Sequence, residues 1–306
     1  MVKRIIVIIL ILLLVPVSIY FVFPEVLYNI GIALERKSAG LSLKSVEAGN
    51  HTINYLEGGD GATILLLHGF SGEKDNWTRF SKSITSKYHV VAIDLPGFGE
   101  SSKIDTESYT IATQLKLLDR IVNTLKLDKF HLVGNSMGGF IAGRYAAKVP
   151  DKVLSLALFD TLGIQSLKKS ELFKLLEKGE NPLLVKTYED FELLIGFIFV
   201  DPPFIPKPVM KYLAKRAIMS RDFNEKIIND LIEEKDSLEP YLPKIGVKSL
   251  ILWGDMDRLL DLSCTKALEK GLKKHETVIM KNCGHCPMLE RPKETASHYL
   301  EFLKGV

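Results

Sequence analysis

Residues 129–147 run Lys129-Phe130-His131-Leu132-Val133, then Gly134-Asn135-Ser136-Met137-Gly138-Gly139, then Phe140-Ile141-Ala142-Gly143-Arg144-Tyr145-Ala146-Ala147. An apolar run comes first, a glycine-rich hexapeptide second and a helical pattern third. This is the strand, tight turn and helix that a nucleophile elbow requires. Gly134 and Gly138 let the backbone crowd where a Cβ would clash. Ser136 is then set at the tip of the turn, and the helix N-terminus behind it offers N–H groups to developing negative charge.

Working outward, Thr63–Leu67 and Val90–Ile93 are short continuous apolar runs, as expected of strands buried on both faces. Residues 43–57 read as two further strands, 75–86 as a helix and 108–125 as an amphipathic helix. Val153–Phe159 reads as the next strand. The alternation of strand and helix points to an α/β fold, a mostly parallel sheet covered on both faces. It stops near residue 163. From 163 to 245 the pattern is helical and broken by prolines at 182, 202, 203, 206, 208, 240 and 243. The rhythm resumes with a strand at 249–253, a helix near 264–272, a strand at 275–281 and a helix at 292–303. The domain reading is therefore a core of 41–162 plus 246–306, an inserted helical cap of 163–245, and an N-terminal anchor and linker of 1–40.

The bulk numbers exclude several classes. The apolar fraction of 46% and charged fraction of 25% are those of a globular protein. A net charge of +3 with no long basic run gives no footprint for nucleic acid. After Lys3-Arg4, residues 5–23 are nearly all apolar, about the length that crosses a bilayer. The reading is an uncleaved single-pass anchor in a membrane protein, with a cleaved signal peptide as the rival. The basic residues before it favour a catalytic domain outside the cytosol, although Arg36 and Lys37 on the other flank weaken that orientation. Segment 24–40 mixes apolar and charged residues and fits either a membrane-surface stretch or a linker.

A serine hydroxyl needs a base to take its proton and a third group to orient the base. His285, in Asn282-Cys283-Gly284-His285-Cys286-Pro287 after strand 275–281, is the candidate base. Asp257, in Trp253-Gly254-Asp255-Met256-Asp257-Arg258 after strand 249–253, is the candidate acid. Asp255 and Asp160, the latter also at a strand end, stay open as alternatives. The oxyanion needs at least two preorganised donors. The N–H of Met137 is the first candidate. The N–H of Phe70, in His68-Gly69-Phe70-Ser71-Gly72, is the second. His68 itself reads as a structural histidine bonded to loop backbone. Cysteines 264, 283 and 286 are no disulfide framework. Cys283-Gly284-His285-Cys286 lacks the helix-start context of a redox pair, and a Cys283–Cys286 disulfide stays open. No metal and no organic cofactor is called for.

With these pieces placed, the resemblance is specific. From about residue 45 to the end the chain resembles an α/β-hydrolase with a helical cap. The matching stretches are His68-Gly69-Phe70, Asp94-Leu95-Pro96-Gly97-Phe98-Gly99-Glu100-Ser101, Gly134 to Gly139, Trp253 to Asp257 and Asn282 to His285. The order Ser136, Asp257, His285 is the one that superfamily uses. Lys74-Asp75-Asn76-Trp77, the N-terminal anchor and Glu290-Arg291-Pro292 resemble membrane-bound monoacylglycerol lipases and related bacterial lipases. The resemblance implies hydrolysis of carboxylic esters such as glycerides. A ring-cleavage C–C hydrolase is the runner-up, since that group shares the Gly134–Gly139 pattern. A non-catalytic binding protein on the same scaffold is a third reading. Cap residues Phe191–Val200 are expected to be mostly cap core, with an acyl pocket or a membrane patch as alternatives.

Overall fold

The structure, a computed structural model, describes residues 23–306. Its centre is an eight-stranded sheet of β1 (Ser42–Ala48), β2 (His51–Gly58), β3 (Thr63–Leu67), β4 (His89–Ile93), β5 (Phe130–Asn135), β6 (Val153–Phe159), β7 (Ser249–Gly254) and β8 (His275–Met280). The order is β1-β2-β4-β3-β5-β6-β7-β8. Pairings β1–β2 and β2–β4 are antiparallel, and every pairing from β4 through β8 is parallel. The expected mostly parallel α/β sheet is the observed one.

Side chains alternate across the strands and build two cores. Leu65, Leu67, Val91 and Ile93 face one layer, with Leu118 and Ile121 of α3 (Ile111–Thr124) and Ile141 and Tyr145 of α4 (Met137–Lys148). Ile64, Leu66, Val90 and Ala92 face the other, with Trp77, Phe80, Tyr299 and Phe302. Tyr299 and Phe302 belong to α11 (Pro292–Leu303), which follows α9 (Cys264–Gly271) and α10 (Pro287–Glu290). Because β3 and β5 are central and buried on both faces, their C-terminal ends are fixed from above and below. The candidate nucleophile therefore sits on rigid scaffold.

Two stretches differ from expectation. Residues 75–86 form no continuous helix. A 3₁₀ turn (Lys74–Trp77) leads into the short α2 (Thr78–Ser81), and turns follow. The Asn76 side chain accepts from Glu73 N–H at 2.7 Å, and Thr85 donates its hydroxyl to the Ala39 carbonyl at 2.7 Å. Polar side chains here compete with helical bonding. Segment 24–40 is neither bare linker nor detached. It contains α1 (Pro24–Ser38), with Pro24 and Glu25 in its first turn and Arg36 and Lys37 in its last, as the helix dipole favours. Arg36 clamps Asp75 in a two-pronged pair at 2.7 and 2.6 Å, and Arg79 reaches Glu35 at 2.6 Å. The expected anchor at 5–23 lies outside the described residues, apart from Phe23. Among the described residues no helix is long and apolar enough to cross a membrane.

Between β6 and β7 the chain forms α5 (Glu171–Leu176), α6 (Tyr188–Ile198), α7 (Lys207–Met219), α8 (Arg221–Glu234) and a 3₁₀ turn (Glu239–Lys244). Val185, Phe191 and Ala214 make a small core of their own. Phe197, Ile227 and Leu238 join the main core. In Phe191–Val200, Phe191 and Phe197 are buried, whereas Leu193 is 70% exposed, so only one side of α6 is core.

Candidate active site

β5 ends in a backbone that few residues adopt. Ser136 has φ 55° and ψ −119°, a left-handed conformation costly for any residue with a Cβ. The surroundings hold it there. Its N–H donates to the Phe159 carbonyl at 3.0 Å, and its own carbonyl accepts from Phe140 and Leu162 N–H at 3.1 and 3.0 Å. Gly138 has no room for a side chain, since a Cβ there would lie 2.4 Å from the Leu67 and His68 carbonyls. The elbow and the 68–72 loop are thus pressed together, and a Cβ on Gly69 would be 3.0 Å from the Ser136 Cβ.

The 68–72 loop is itself braced. Gly72 N–H closes a turn on the Gly69 carbonyl at 3.1 Å, with Ser71 at φ 57°. His68 spans it. Its Nδ1 bonds the Gly69 carbonyl at 2.7 Å, and its Nε2 accepts from Leu95 N–H at 3.0 Å. That pair of bonds fixes the neutral Nδ1–H tautomer, and burial pushes the imidazole down to about 4. His68 is the structural histidine expected of it. Next along the chain, Lys74 is fully buried, with Nζ 2.9 Å from Asp94 and 2.6 Å from Glu100. Asp94 also accepts the N–H groups of Lys74 and Glu100 at 2.6 and 2.8 Å. The Asp94–Ser101 stretch is therefore a tie that holds the 68–74 segment in place. Among the described residues, neither the Phe70 nor the Met137 N–H is used in a backbone hydrogen bond.

β7 and β8 deliver the other two side chains. His285 Nδ1 lies 2.7 Å from Asp257 Oδ2, with the His285 side chain 4% exposed and that of Asp257 fully buried. Asp257 Oδ1 accepts Leu259 and Leu260 N–H at 2.8 and 3.1 Å, so all of its described partners are donors. The alternative Asp255 is occupied elsewhere, accepting Asn282 N–H at 2.7 Å and facing Lys281 at 3.3 Å. Asp160 is close to the pair: an oxygen of Asp160, an oxygen of Asp257 and a ring nitrogen of His285 lie within 4.8 Å of one another. Cys264, Cys283 and Cys286 are free thiols, and burial pushes each of them up, Cys264 to about 11.

The sequence reading missed two residues that set the position of His285. Asn135, beside the nucleophile, donates its amide to the His285 carbonyl at 3.0 Å and to the Phe159 carbonyl at 3.1 Å, joining the histidine loop to the serine strand. Glu290 accepts from Gly284, Val200 and Asp201 N–H at 3.0, 3.3 and 3.1 Å. The α6 segment also meets this loop directly, as His285 N–H donates to the Ile198 carbonyl at 2.8 Å. The motifs in which Asn135 and Glu290 stand were visible, but Asn135's bond to His285 spans about 150 residues, and Glu290 joins nearby Gly284 to Val200 about 90 residues away.

The pattern of the alpha/beta hydrolase fold family matches residues 62–189, and the chain belongs to that family. Lipase 1 of Psychrobacter immobilis is 34% identical to it over 89% of this chain and 87% of its own. Monoacylglycerol lipase ABHD6 of Homo sapiens is 30% identical over 95% of this chain and 90% of its own. A crystal structure of a membrane phospholipase A, described as a bacterial virulence factor, superposes with a TM-score of 0.92. It is 48% identical and covers 99% of this chain and 98% of that one. Within the family, the chain is accordingly an ester-hydrolysing enzyme of the lipase and esterase kind.

Proposed function

We propose that the protein cleaves acyl esters of glycerol through an acyl-enzyme formed on Ser136. The observation that carries this reading is the strained Ser136 elbow, with the 68–72 loop against it and the Asp257–His285 pair tied to the same strand by Asn135.

Asp257 accepts from Nδ1 of His285, so the ring proton is on Nδ1 and Nε2 is left free as the base. His285 Nε2 takes the Ser136 hydroxyl proton as Oγ bonds to the ester carbonyl carbon. The carbonyl electron pair moves to oxygen, where the N–H groups of Met137 and Phe70 receive the charge. Collapse of this intermediate breaks the bond to the alcohol, which leaves with the proton from Nε2. Water then repeats the sequence on the acyl-enzyme and returns Ser136 free.

The relatives support the substrate class, being lipases, monoacylglycerol lipases and a phospholipase A by name. Residues 163–245 are proposed to cap the site, since they meet it through Ile198, Val200 and Asn224, the last donating to Ser71 at 3.1 Å. Membrane association fits as well. Phe23, Val26, Ile30 and Leu34 of the α1 region are spaced along one helical side and exposed, as is Phe204 at 87%. Residues 5–23 are proposed as a single-pass anchor with the enzyme on the non-cytosolic side. Resistance of the full chain to alkaline carbonate extraction, lost on deleting 1–23, checks the anchor. Cleavage by external protease of intact cells checks the side.

Initial rates on monoacylglycerols and p-nitrophenyl esters from acetyl to palmitoyl test the chemistry, in wild type and Ser136→Ala. Turnover should fall by roughly 10⁴-fold or more in the variant. Absence of wild-type turnover on every ester would refute the reading and favour C–C hydrolysis or ligand binding.

A further inference from the structure

Asp160 directly follows β6, the strand between the one that leads to Ser136 and the one that leads to Asp257. It is fully buried, and its backbone lies in the left-handed region at φ 43°, a conformation that persists only where the surroundings enforce it. Its Oδ1 accepts the Gly254 N–H at 2.9 Å. Its Oδ2 is buried without a hydrogen-bond partner among the described residues. One of its oxygens lies within 4.8 Å of both an oxygen of Asp257 and a ring nitrogen of His285. The mechanism above gives it nothing to do.

Two buried carboxylates this close strongly disfavour ionising together. Which one keeps the charge is decided by donors. Asp257 has three, from His285, Leu259 and Leu260, whereas Asp160 has one. An oxygen that meets no donor in a buried place is a poor seat for charge, but it suits a hydroxyl, which needs only an acceptor. We propose that Asp160 is a neutral carboxylic acid in the working enzyme, its Oδ2–H turned to the Asp257 carboxylate and holding that carboxylate against His285. It is a positioning residue, and the proposal rests on the reading of Ser136, His285 and Asp257 as the catalytic triad.

The other groups facing this corner act in the same sense. Burial, the Asp257 carboxylate and Glu290 all push Asp160 well above the usual carboxylate range. The neighbouring Cys283 and Cys286 thiols, raised chiefly by burial and also by Glu290, stay neutral. A neutral acid next to Asp257 leaves a single negative charge beside His285, and it adds a donor that fixes the orientation of that charge.

The test uses the full chain with Asp160→Leu, Asp160→Asn and Asp257→Asn. Each is followed by the pH profile of kcat/KM on a p-nitrophenyl ester and by the rate of fluorophosphonate labelling of Ser136. Leucine removes donor and acceptor together, and kcat should fall roughly 10- to 100-fold with KM unchanged, as loss of an outer partner of a site residue does. Asparagine restores a donor and an acceptor without charge. It should recover most of that loss and leave the acid limb where it is in wild type. If Asp160 were instead ionised, Asp160→Asn would remove a charge beside His285 and move the acid limb down by about a unit or more, which overturns the proposal. Wild-type kcat in Asp160→Leu overturns it too. Should the leucine variant fail to fold, infrared spectra of ¹³C-aspartate-labelled wild type decide. A protonated-carboxyl band at neutral pH, absent from Asp160→Asn, is the expected result, and no such band refutes the idea. Unimpaired turnover in Asp257→Asn would refute the triad itself, whatever the Asp160 variants do.

Discussion

Acidification from pH 8 to pH 5 should cost the folded protein about 2 kcal/mol through His68 alone. The ring is fully buried, with Nδ1–H on the Gly69 carbonyl and Nε2 on the Leu95 N–H, so a second proton at Nε2 would face another donor. Burial pushes His68 from 6.5 to about 4. Between those values the unfolded chain binds a proton that the folded chain refuses. The stability is therefore complete above pH 6.5 and drains away as pH falls toward 4. A gap of about 2.5 units corresponds to about 3.4 kcal/mol in full, of which about 2 kcal/mol is lost by pH 5. Urea unfolding of the full chain in detergent, repeated across this range for wild type and His68→Gln, gives the quantity as the difference of two curves. That difference separates His68 from the six other histidines. The variant should be less stable at pH 8 and show a shallower acid slope. Parallel curves would refute the reasoning, as would an NMR titration of wild-type His68 with a midpoint near 6.5.

Further outcomes follow from the same geometry. Gly138→Ala would set a Cβ 2.4 Å from two backbone carbonyls, so it should destabilise by about 3 kcal/mol or more and abolish activity, whereas Gly143→Ala meets only the movable Leu238 side chain at 2.8 Å and should cost about 1 kcal/mol; thermal melts and ester assays separate the two. Lys74→Met leaves Asp94 buried without its cation and should lose about 3–5 kcal/mol, while Lys44→Met, at an exposed pair with Glu57, should leave the urea midpoint unchanged. Asp257→Asn should lower kcat by roughly 10³- to 10⁴-fold with little change in KM. The three thiols, all raised by burial, should resist alkylation at neutral pH in the folded protein and react together in denaturant; counting them by mass spectrometry checks this, and a Cys283–Cys286 disulfide in purified protein would contradict it.

The fold was legible because its signals are local. Thr63–Leu67 is apolar at every position but the first, and a strand buried on both faces needs just that. Gly134 and Gly138 flank Ser136 because the elbow lets neither carry a Cβ. The helix at 292–303 and the strand at 153–159 were bounded by their own periodicity and prolines. Where reading along the chain failed, the deciding partner was remote. Segment 24–40 read equally as membrane-surface stretch or linker because Asp75, Glu73 and Arg79, which hold its helix, are about 40 residues away. The helix expected at 75–86 was cut short by side chains whose bonds to Glu73 and Ala39 periodicity does not record.

The same distinction explains why the candidate residues were easier to pick out than the groups around them. Ser136, His285 and Asp257 stand out as candidates by residue type and by position after strand ends. What aims them does not. Asn135 reaches across to the His285 carbonyl, Glu290 gathers three N–H groups from two segments, and Asp160 shares a corner with Asp257 that only the adjacency of β6 and β7 creates. Two carboxylates 97 positions apart in sequence carry no joint signal until the sheet aligns Phe159 with Leu252. Once it does, two buried carboxyl groups stand close enough for one to bear on the other. The aspartate that follows β6, a competing candidate in the sequence, stands in the folded molecule as a close neighbour of Asp257.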